Sequence, residues 1–400
     1  MKFSTSIILA LILSALCGPA EAQSPARSGK PQYMFVWAGA ADSTQSDFLA
    51  VVDVTPRAPR YGDIIATVPV GAVTMAHHVA MADDGMLIAN GFNTGTTYRF
   101  DVRNPRKPVL EGVLAVPDKL SHPHSFVRLP NGHLLGTYQY QAGNHGLPGG
   151  LAEHDTRGDV VRWQSAVDTA IQQFYRPYSL VTIPALDRIV TTGVDMHGQG
   201  QSRVVQVWKL SDLTLIKSLV LPDGQRGDEG LQSFEPRLLD DGRTVIVSTL
   251  KCGLYRIDGL DGESPSPVLI HTFDDERCDM PAVIGQFWVQ TLSTKHAIVT
   301  LDISDTSRPA EVARLELGAD NRPHWLAVEP GGTRLALTGY RDLQYRVLML
   351  QFDSITGRVF IDHAFREEGS QEAGISFDRV HWPHGAGGRA RPHGTLFGAR

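Results

Sequence analysis

The 400-residue sequence contains only three cysteines and has no long run of like charge. Its 37 basic and 43 acidic side chains give a formal charge of −6, which argues against a nucleic-acid surface or a polybasic membrane patch. Beyond its N-terminal segment, no stretch reaches the roughly 18 apolar residues that a membrane-spanning helix needs. A Gly-rich phosphate loop and a G-x-S-x-G elbow are also missing, so nothing favours nucleotide chemistry or the serine-hydrolase fold.

The N-terminal segment has the pattern of a secretory signal peptide over residues 1–22. Lys2 supplies the positive charge, residues 7–17 form the apolar stretch, and residues 20–22 read A-x-A. We therefore predict cleavage after Ala22 and export to the periplasm or the medium. The mature chain, residues 23–400, is then expected to form one domain without a membrane span.

Cleavage there leaves two cysteines, Cys252 and Cys278, in the mature chain. An oxidising compartment permits them to pair as a disulfide. Two alternatives stay open: a pair of small buried apolar side chains, or a thiolate close to a soft metal ion.

One pattern recurs seven times, an apolar strand that ends near an aspartate or a polar substitute and leads into a turn. The copies end at or close to Asp53, Asp101, Asp155, Ser211, Asp258, Asp302 and Asp353. Successive copies are 44 to 56 residues apart, the length of one four-stranded propeller blade. We therefore predict an all-β, seven-bladed β-propeller closed by N- and C-terminal strands that share one blade. Asp53, Asp101, Asp258, Asp302 and Asp353 are expected to cap turns.

A second repeat places a distinctive residue eight positions before a turn glycine, at the start of an inner strand. His77, His124 and His324 occupy this position. Inner strands line the central channel of a propeller, so residues at equal register should converge there. Tyr178, Phe234 and a residue near Met280 complete the same ring on other blades. Successive strand residues point to opposite faces, so His78 joins the ring only if a β-bulge turns the strand.

His381 follows His324 by 57 residues, about one blade, and is the expected further member of the ring. Neutral imidazole is a common ligand of copper, zinc, iron and nickel, so these histidines predict a metal site. The alternative is a set of channel histidines that only bind water. The remaining histidines share no register and are expected at the surface or in packing, with His122 and His384 adjoining the site. The other histidines expected at the surface or in packing include His145, His197, His363 and His393.

Two further side chains are candidate catalytic groups. Glu235 could orient a ligand imidazole or accept a substrate proton, but it could equally be an ordinary carboxylate paired with Arg237. Tyr178 could donate a hydrogen bond in the channel or simply pack against other aromatic rings.

Several segments resemble the selenium-binding protein and methanethiol oxidase family. They are residues 47–54 (DFLAVVDV), 76–78 (AHH), 121–124 (SHPH), 301–309 (LDISDTSRP) and 381–388 (HWPHGAGG). The resemblance implies a seven-bladed propeller whose bacterial members use copper and O2 to oxidise methanethiol to formaldehyde, hydrogen sulfide and hydrogen peroxide.

On this resemblance, the family histidines thought to hold copper match His77, His78, His124 and His381. The expected partners are then a small thiol and O2. Two other functions stay open: a metal-free periplasmic scaffold or metal- or selenium-binding protein, and a divalent-metal lactonase. A lactonase would want several carboxylate and asparagine ligands in the ring, where the sequence offers only Glu235.

Overall fold

The computed structural model describes Met1 and residues 32–398, apart from 42–44, 84, 199, 340–343 and 386. Apart from Met1, the predicted signal peptide and its cleavage site therefore lie outside the described residues. In the described part, regular structure consists of β-strands and one 3-10 helix, Pro184–Leu186. None of the described residues belongs to a helix with the length and apolar character that crossing a bilayer requires. The prediction of an all-β fold is confirmed.

Thirty strands follow one another along the described chain. The first are β1 (Tyr33–Ala40), β2 (Phe48–Asp53), β3 (Ile64–Pro69), β4 (Ala76–Met81), β5 (Met86–Gly91), β6 (Thr96–Asp101) and β7 (Val109–Val113). Next come β8 (Leu120–Arg128), β9 (Leu134–Gln141), β10 (Asn144–His154), β11 (Val160–Ser165), β12 (Pro177–Ile183), β13 (Arg188–Gly193), β14 (Val204–Lys209) and β15 (Leu215–Val220). These are followed by β16 (Ser233–Leu238), β17 (Val245–Thr249), β18 (Gly253–Asp258), β19 (Ser266–Thr272), β20 (Ala282–Ile284), β21 (Phe287–Leu292), β22 (Ala297–Asp302) and β23 (Ala310–Glu316). The last are β24 (Trp325–Val328), β25 (Arg334–Thr338), β26 (Arg346–Phe352), β27 (Val359–Ile361), β28 (Ile375–Ser376), β29 (Asp378–Arg379) and β30 (Gly388–Phe397).

The strands are arranged in antiparallel meanders. Strands β4–β7, β8–β11 and β20–β23 each form a four-stranded sheet in chain order, and β24–β27 do the same with β28 added beside β26. Strands β12–β15 and β16–β19 are two further meanders that meet at the single pair Gly193 and Ser233.

The two ends of the described chain lie in one sheet. Strand β30 pairs with β1, and the order across this sheet is β29, β30, β1, β2, β3. The last described strand therefore lies beside the first strands of the chain. This is the shared sheet that the sequence repeat predicts.

The repeated aspartates end the third strand of each meander or follow it directly. The Oδ1 atom of Asp53, Asp101, Asp155, Asp302 and Asp353 accepts the backbone N–H two residues later, at 2.8–2.9 Å. Such a bond gives a partner to a backbone N–H of the turn that strand pairing leaves without one. Asp258 instead pairs with Arg256 at 2.5 Å. The predicted turn-capping role is thus confirmed for Asp53, Asp101, Asp302 and Asp353, and Asp155 makes the same bond.

The core lies in the middle strands of the sheets. Strands β2 and β5 are buried along their whole length, whereas β7, at the outer edge of its sheet, is mostly exposed. Trp37, Trp208 and Trp288 are fully buried and fill the space between neighbouring sheets. Burial of such large side chains is a main source of stability in a fold that has few helices.

Cys252 and Cys278 form a disulfide, with Cα atoms 5.0 Å apart. Both side chains are completely buried. The bond links the segment before β18 to the segment before β20, so it joins two successive meanders. Of the three possibilities that the sequence leaves open, the structure therefore shows the disulfide.

Candidate metal centre

The adjacent histidines His77 and His78 lie in a β-bulge. The pairing of β4 with β5 shifts register between Ala76 and Val79, and both histidine side chains in between are buried. A bulge breaks the strict alternation of strand faces, so two neighbouring residues can face one site. Asn90 holds the bulge in place, because its Oδ1 accepts the N–H of His78 at 2.5 Å. The β-bulge that His78 needs in order to face the same site as His77 is therefore present.

The same irregularity recurs in the other inner strands. Pairing shifts between Pro123 and Phe126 in β8, around His124, and between Pro177 and Leu180 in β12. Polar side chains on the second strands tie each bulged strand to the next one. The bonds run from Asn90 Nδ2 to the Pro123 carbonyl (2.9 Å), from Thr137 Oγ1 to the Tyr178 carbonyl (2.6 Å) and from Thr192 Oγ1 to the Phe234 carbonyl (2.6 Å). These bonds hold successive inner strands in register around the site.

His77, His78 and His124 come together as the repeat predicts. One ring nitrogen from each lies within 4.8 Å of the others. Their ring centroids are 4.3–4.8 Å apart, and all three side chains are buried. Ligands of one ion with metal–nitrogen bonds of about 2.0–2.1 Å lie about 3–4 Å apart, so small side-chain adjustments bring the three nitrogens to a common ion.

Two more histidines extend this cluster. The ring of His393 lies 4.3 Å from that of His77, and its Nε2 lies 2.7 Å from the Nε2 of His324. His324 therefore joins the cluster through His393. We call these five residues (His77, His78, His124, His324 and His393) the buried histidine cluster.

The prediction that His381 completes the ring is wrong. Its side chain is exposed, in the segment between β29 and β30. His393, which the sequence assigns to the surface or to packing, is 1% exposed and lies in the cluster. The reason is the closure of the sheets: the inner strand beside β1 is β30, the last strand of the described chain, and His393 lies in its bulged part between Pro392 and Thr395.

Hydrogen bonds orient the imidazoles. The Nδ1–H of His124 donates to the Tyr178 carbonyl at 2.8 Å, and the Nδ1–H of His393 donates to the Ala76 carbonyl at 3.0 Å. A carbonyl can only accept, so Nε2 of both rings keeps its lone pair. Ligand histidines in metal sites are commonly fixed by such a bond at the other ring nitrogen.

Two ring nitrogens in the cluster are buried and have no hydrogen-bond partner: Nδ1 of His77 and Nε2 of His78. Leaving a buried polar atom unsatisfied costs about 1–3 kcal/mol, so native proteins rarely do it without a reason. Coordination to a metal ion is one way in which such a nitrogen is satisfied. The residues present therefore fit an imidazole-bound transition metal.

Burial keeps four of the five imidazoles of the cluster neutral. It lowers the pKa of His124 to about 3, although the Tyr178 carbonyl opposes the shift. Burial, together with neighbouring histidines, also holds the pKa of His77, His78 and His393 well below 6.5. Metal binding requires the neutral imidazole, so at neutral pH these ligands need not lose a proton first.

Asp279 supplies negative charge beside the cluster, and nothing in the repeat points to it. Its Oδ1 lies 3.4 Å from Nδ1 of His324 and 2.9 Å from Arg277. Burial alone would raise the pKa of this carboxyl, but His324 and Arg277 hold it well below its usual range. Asp279 is thus ionised and orients His324 from the side opposite His393.

Tyr178 forms a wall of the site. Its ring lies 3.8 Å from that of His124 and 5.0 Å from that of Phe234. Burial, with the charges of Glu235 and Asp279, raises the pKa of the phenol well above 10, so it stays protonated. The contacts show aromatic packing, and a catalytic role for Tyr178 stays a prediction.

Glu235 is buried and paired with Arg237, which was the ordinary alternative for this residue. Its Oε2 accepts hydrogen bonds from Arg237 Nη1 at 2.7 Å and from Ser179 Oγ at 2.9 Å, while Oε1 is buried without a partner. Burial raises the pKa of this carboxyl in spite of Arg237. Its role in catalysis also stays a prediction.

Known proteins match this chain over part of its length. No protein-family model matches. A 142-residue segment, 34% of this chain, is 30% identical to 32% of a methanethiol oxidase from Hyphomicrobium sp. A 154-residue segment, 36% of this chain, is 28% identical to 35% of a methanethiol oxidase from Ruegeria pomeroyi. The matched segments thus span about a third of the length of these relatives, and the resemblance seen in the sequence motifs is confirmed at that level.

Solved structures resemble nearly the whole chain. A hypothetical selenium-binding protein from Sulfolobus tokodaii superposes with a TM-score of 0.70 at 17% identity, covering 92% of this chain and 94% of that one. A periplasmic gluconolactonase from Pseudomonas aeruginosa superposes with a TM-score of 0.65 at 13% identity, covering 92% and 99%. At such identities the similarity concerns the fold alone, which is a propeller-like arrangement of antiparallel sheets.

Proposed function

We propose that this protein is an exported, copper-dependent oxidase of a small thiol. The observation that carries the proposal is the convergence of His77, His78 and His124, whose buried nitrogens lie within 4.8 Å of one another. Imidazole ligands suit copper, and copper also accepts soft sulfur ligands. The local sequence similarity to methanethiol oxidases supports a thiol as the substrate.

A seven-bladed ring is part of the proposal. The strand order supports it, because β30 with β1–β3 forms one set of four strands and six further sets follow from β4 to β27. In such a ring the first strand of each set lines the channel, and His77, His124 and His393 lie on three of these strands.

Export is also part of the proposal. It is supported by the signal-peptide pattern of residues 1–22 and by the disulfide, since disulfides persist mainly in oxidising compartments. Sequencing the N-terminus of the protein recovered from the periplasm or medium tests it. We expect Gln23 as the first residue, and an uncleaved Met1 would contradict the proposal.

The proposed reaction balances for methanethiol with water as co-reactant. One methanethiol, one dioxygen and one water give one formaldehyde, one hydrogen sulfide and one hydrogen peroxide. The carbon loses two electrons as its C–S bond breaks and a carbon–oxygen double bond forms, and dioxygen gains the same two electrons. Bound copper would lower the pKa of the thiol and pass electrons from the substrate to dioxygen.

The protein's own residues would bind and orient the substrate and would exclude water from the site. The Tyr178 carbonyl fixes the tautomer of His124, and the rings of Tyr178, Phe234 and Trp325 keep the surroundings apolar. His78 is 9% exposed and is the most accessible histidine of the cluster, so only a small substrate can approach. Oε1 of Glu235 has no partner and is the carboxylate atom we assign to accept the thiol proton.

A lactonase on this fold would need several oxygen ligands around a divalent ion. The converging donors here are imidazole nitrogens, and the buried carboxylates Glu235 and Asp279 are each paired with an arginine. The donor set therefore favours the oxidase over the lactonase.

The test combines copper content with thiol-dependent peroxide release. We expect the wild type to hold one copper ion per chain at the buried histidine cluster and to release one hydrogen peroxide per methanethiol consumed. His124→Ala should lose this copper ion and the peroxide release, and the exposed-loop control His363→Ala should lose neither. A protein that takes up no copper contradicts the proposal and favours a scaffold, whereas copper uptake without peroxide release contradicts the oxidase and favours metal binding alone.

A further inference from the structure

Three other histidines lie next to the buried histidine cluster and outside it. They are His122 at the start of β8, His145 at the start of β10, and His197 in the segment after β13. Their ring centroids are 4.9 Å (His122 and His145), 5.5 Å (His122 and His197) and 6.3 Å (His145 and His197) apart. His145 and His197 are exposed and His122 is half-buried, so solvent reaches this group directly.

These distances are compatible with one shared ion. A metal about 2.1 Å from a ring nitrogen lies about 3.2 Å from the ring centroid, so two rings that share it have centroids at most about 6.4 Å apart. The separations of 4.9 and 5.5 Å fit ligands about 100–120° apart, whereas the 6.3 Å between His145 and His197 must shorten by about 1 Å for tetrahedral coordination. Their nitrogens are not gathered as tightly as those of His77, His78 and His124, so binding requires rotation of the accessible His145 and His197 side chains.

Buried groups anchor the two segments that carry His145 and His197. Arg176, which is 4% exposed, donates from Nη2 to the His145 carbonyl at 2.8 Å. Asp195 is also buried, and its Oδ1 accepts the N–H of His197 at 3.0 Å and the hydroxyl of Tyr140 at 2.7 Å. The Tyr140 ring stacks on both histidine rings, at 4.7 and 5.3 Å. The positions of these segments are therefore built into the fold.

His122 occupies a strained position. Its φ of 58° is in the left-handed region, which costs energy for a residue other than glycine. Two residues further on, His124 faces the buried histidine cluster, while His122 contacts His145 and His197. The Phe92 ring separates the two groups, 5.4 Å from His122 and 6.0 Å from His124.

We infer that His122, His145 and His197 form a second, solvent-accessible site for one divalent transition-metal ion. Three imidazoles in a polar, accessible setting suit Zn²⁺ or Cu²⁺, with water completing the coordination. The Asp195 carboxylate beside the site offsets the positive charge of Arg176. This inference does not depend on the proposed oxidase activity.

The experiment titrates the metal-free full-length protein with Zn²⁺ in competition with a chromophoric chelator. We expect two Zn²⁺ ions per chain in the wild type and one in the double variant His145→Ala/His197→Ala, with at least tenfold weaker binding at the lost site. These side chains lie at the surface, so the variant should stay folded. The double variant His271→Ala/His363→Ala controls for the loss of any two histidines and should bind like the wild type.

The variant His124→Ala separates this site from the buried one. It should lose the other ion and keep the ion that depends on His145 and His197. If the wild type binds one Zn²⁺ and the His145→Ala/His197→Ala variant binds none, the second site stands while the buried metal centre fails. If this double variant binds as many Zn²⁺ ions as the wild type, at unchanged affinity, the inference is overturned.

Discussion

The Nδ1–H of His124 donates to the backbone carbonyl of Tyr178, 54 residues further along the chain, at 2.8 Å. This bond joins the inner strands of two neighbouring meanders and leaves Nε2 of His124 facing His77, 3.4 Å from its Nε2. The same carbonyl accepts a hydrogen bond from Thr137 Oγ1 at 2.6 Å. The hydrogen bonds that connect the neighbouring sheets therefore also orient the imidazole of His124.

Replacing the buried residue Thr137 with valine should weaken both the fold and the metal site. Thr137→Val removes the hydroxyl that donates to the Tyr178 carbonyl and accepts the N–H of Ser125 at 3.1 Å. We expect a loss of about 2 kcal/mol in the free energy of unfolding. Copper affinity should fall about 10–100-fold, as is typical when the support of a ligand histidine is lost.

Urea unfolding and a competition titration with Cu²⁺ measure the two effects. Thr272→Val is the matched control, because Thr272 is exposed on β19. It should change stability by less than about 0.5 kcal/mol. Equal effects of the two substitutions would show that the Thr137 hydroxyl does not support the site.

His393, and not His381, should be needed for metal binding. His393→Ala removes a buried ring that contacts both His77 and His324, so we expect copper content to fall and binding to weaken at least tenfold. His381→Ala should leave copper binding unchanged, because its side chain is exposed. Metal analysis after loading and dialysis decides between them, and the reverse pattern would restore the assignment made from the sequence.

Local features made the sheets and part of the site predictable. An aspartate such as Asp101 caps the turn after its own strand, so the blade period can be read directly from the sequence. His77, His124 and His324 each stand eight residues before a turn glycine, which fixes their register within one hairpin. Both signals depend on contacts between residues close in the chain.

The site residues that could not be predicted depend on contacts between segments whose pairing the sequence does not specify. Strand β30 pairs with β1, at the other end of the described chain, so a contact between residues far apart in the sequence sets the register of His393. Asp279 precedes the short strand β20, where the repeat is weak. His145 and His197 lie in segments whose lengths follow no common pattern along the chain, so their proximity is seen only in the folded structure.

Removing the disulfide should destabilise the protein. Cys252 and Cys278 close a loop of 26 residues, for which the loss of denatured-state constraint corresponds to about 3 kcal/mol. We expect the free energy of unfolding of the double variant Cys252→Ala/Cys278→Ala, measured by urea unfolding, to be lower by that amount. Reductant should destabilise the wild type and leave the variant unaffected; a wild type insensitive to reductant even in its unfolded state would contradict the disulfide.

Stability should fall in acid because of Glu229. Its buried carboxylate accepts backbone N–H bonds from Gly224, Arg226 and Gly227 at 2.8–2.9 Å. Burial alone would raise the pKa, but these bonds lower it to about 2, below the 4.5 of an ordinary glutamate. A depressed folded-state pKa stabilises fully above about pH 4.5, and the contribution is lost as the pH falls towards 2.

Glu229→Gln should therefore cost on the order of 2 kcal/mol at pH 7, and the difference from the wild type should shrink below about pH 4.5. Denaturant unfolding from pH 7 to pH 3 measures it. Glu263→Gln, at an exposed position, should have no comparable effect. A difference that stays constant over this pH range would argue against ionisation as its cause.

The most direct test of the buried site is an anomalous-difference map from a crystal of the copper-loaded protein. We expect a single strong peak among His77, His78 and His124, at about 2.0–2.1 Å from a ring nitrogen of each. A map with no copper peak within bonding distance of these three rings would contradict it.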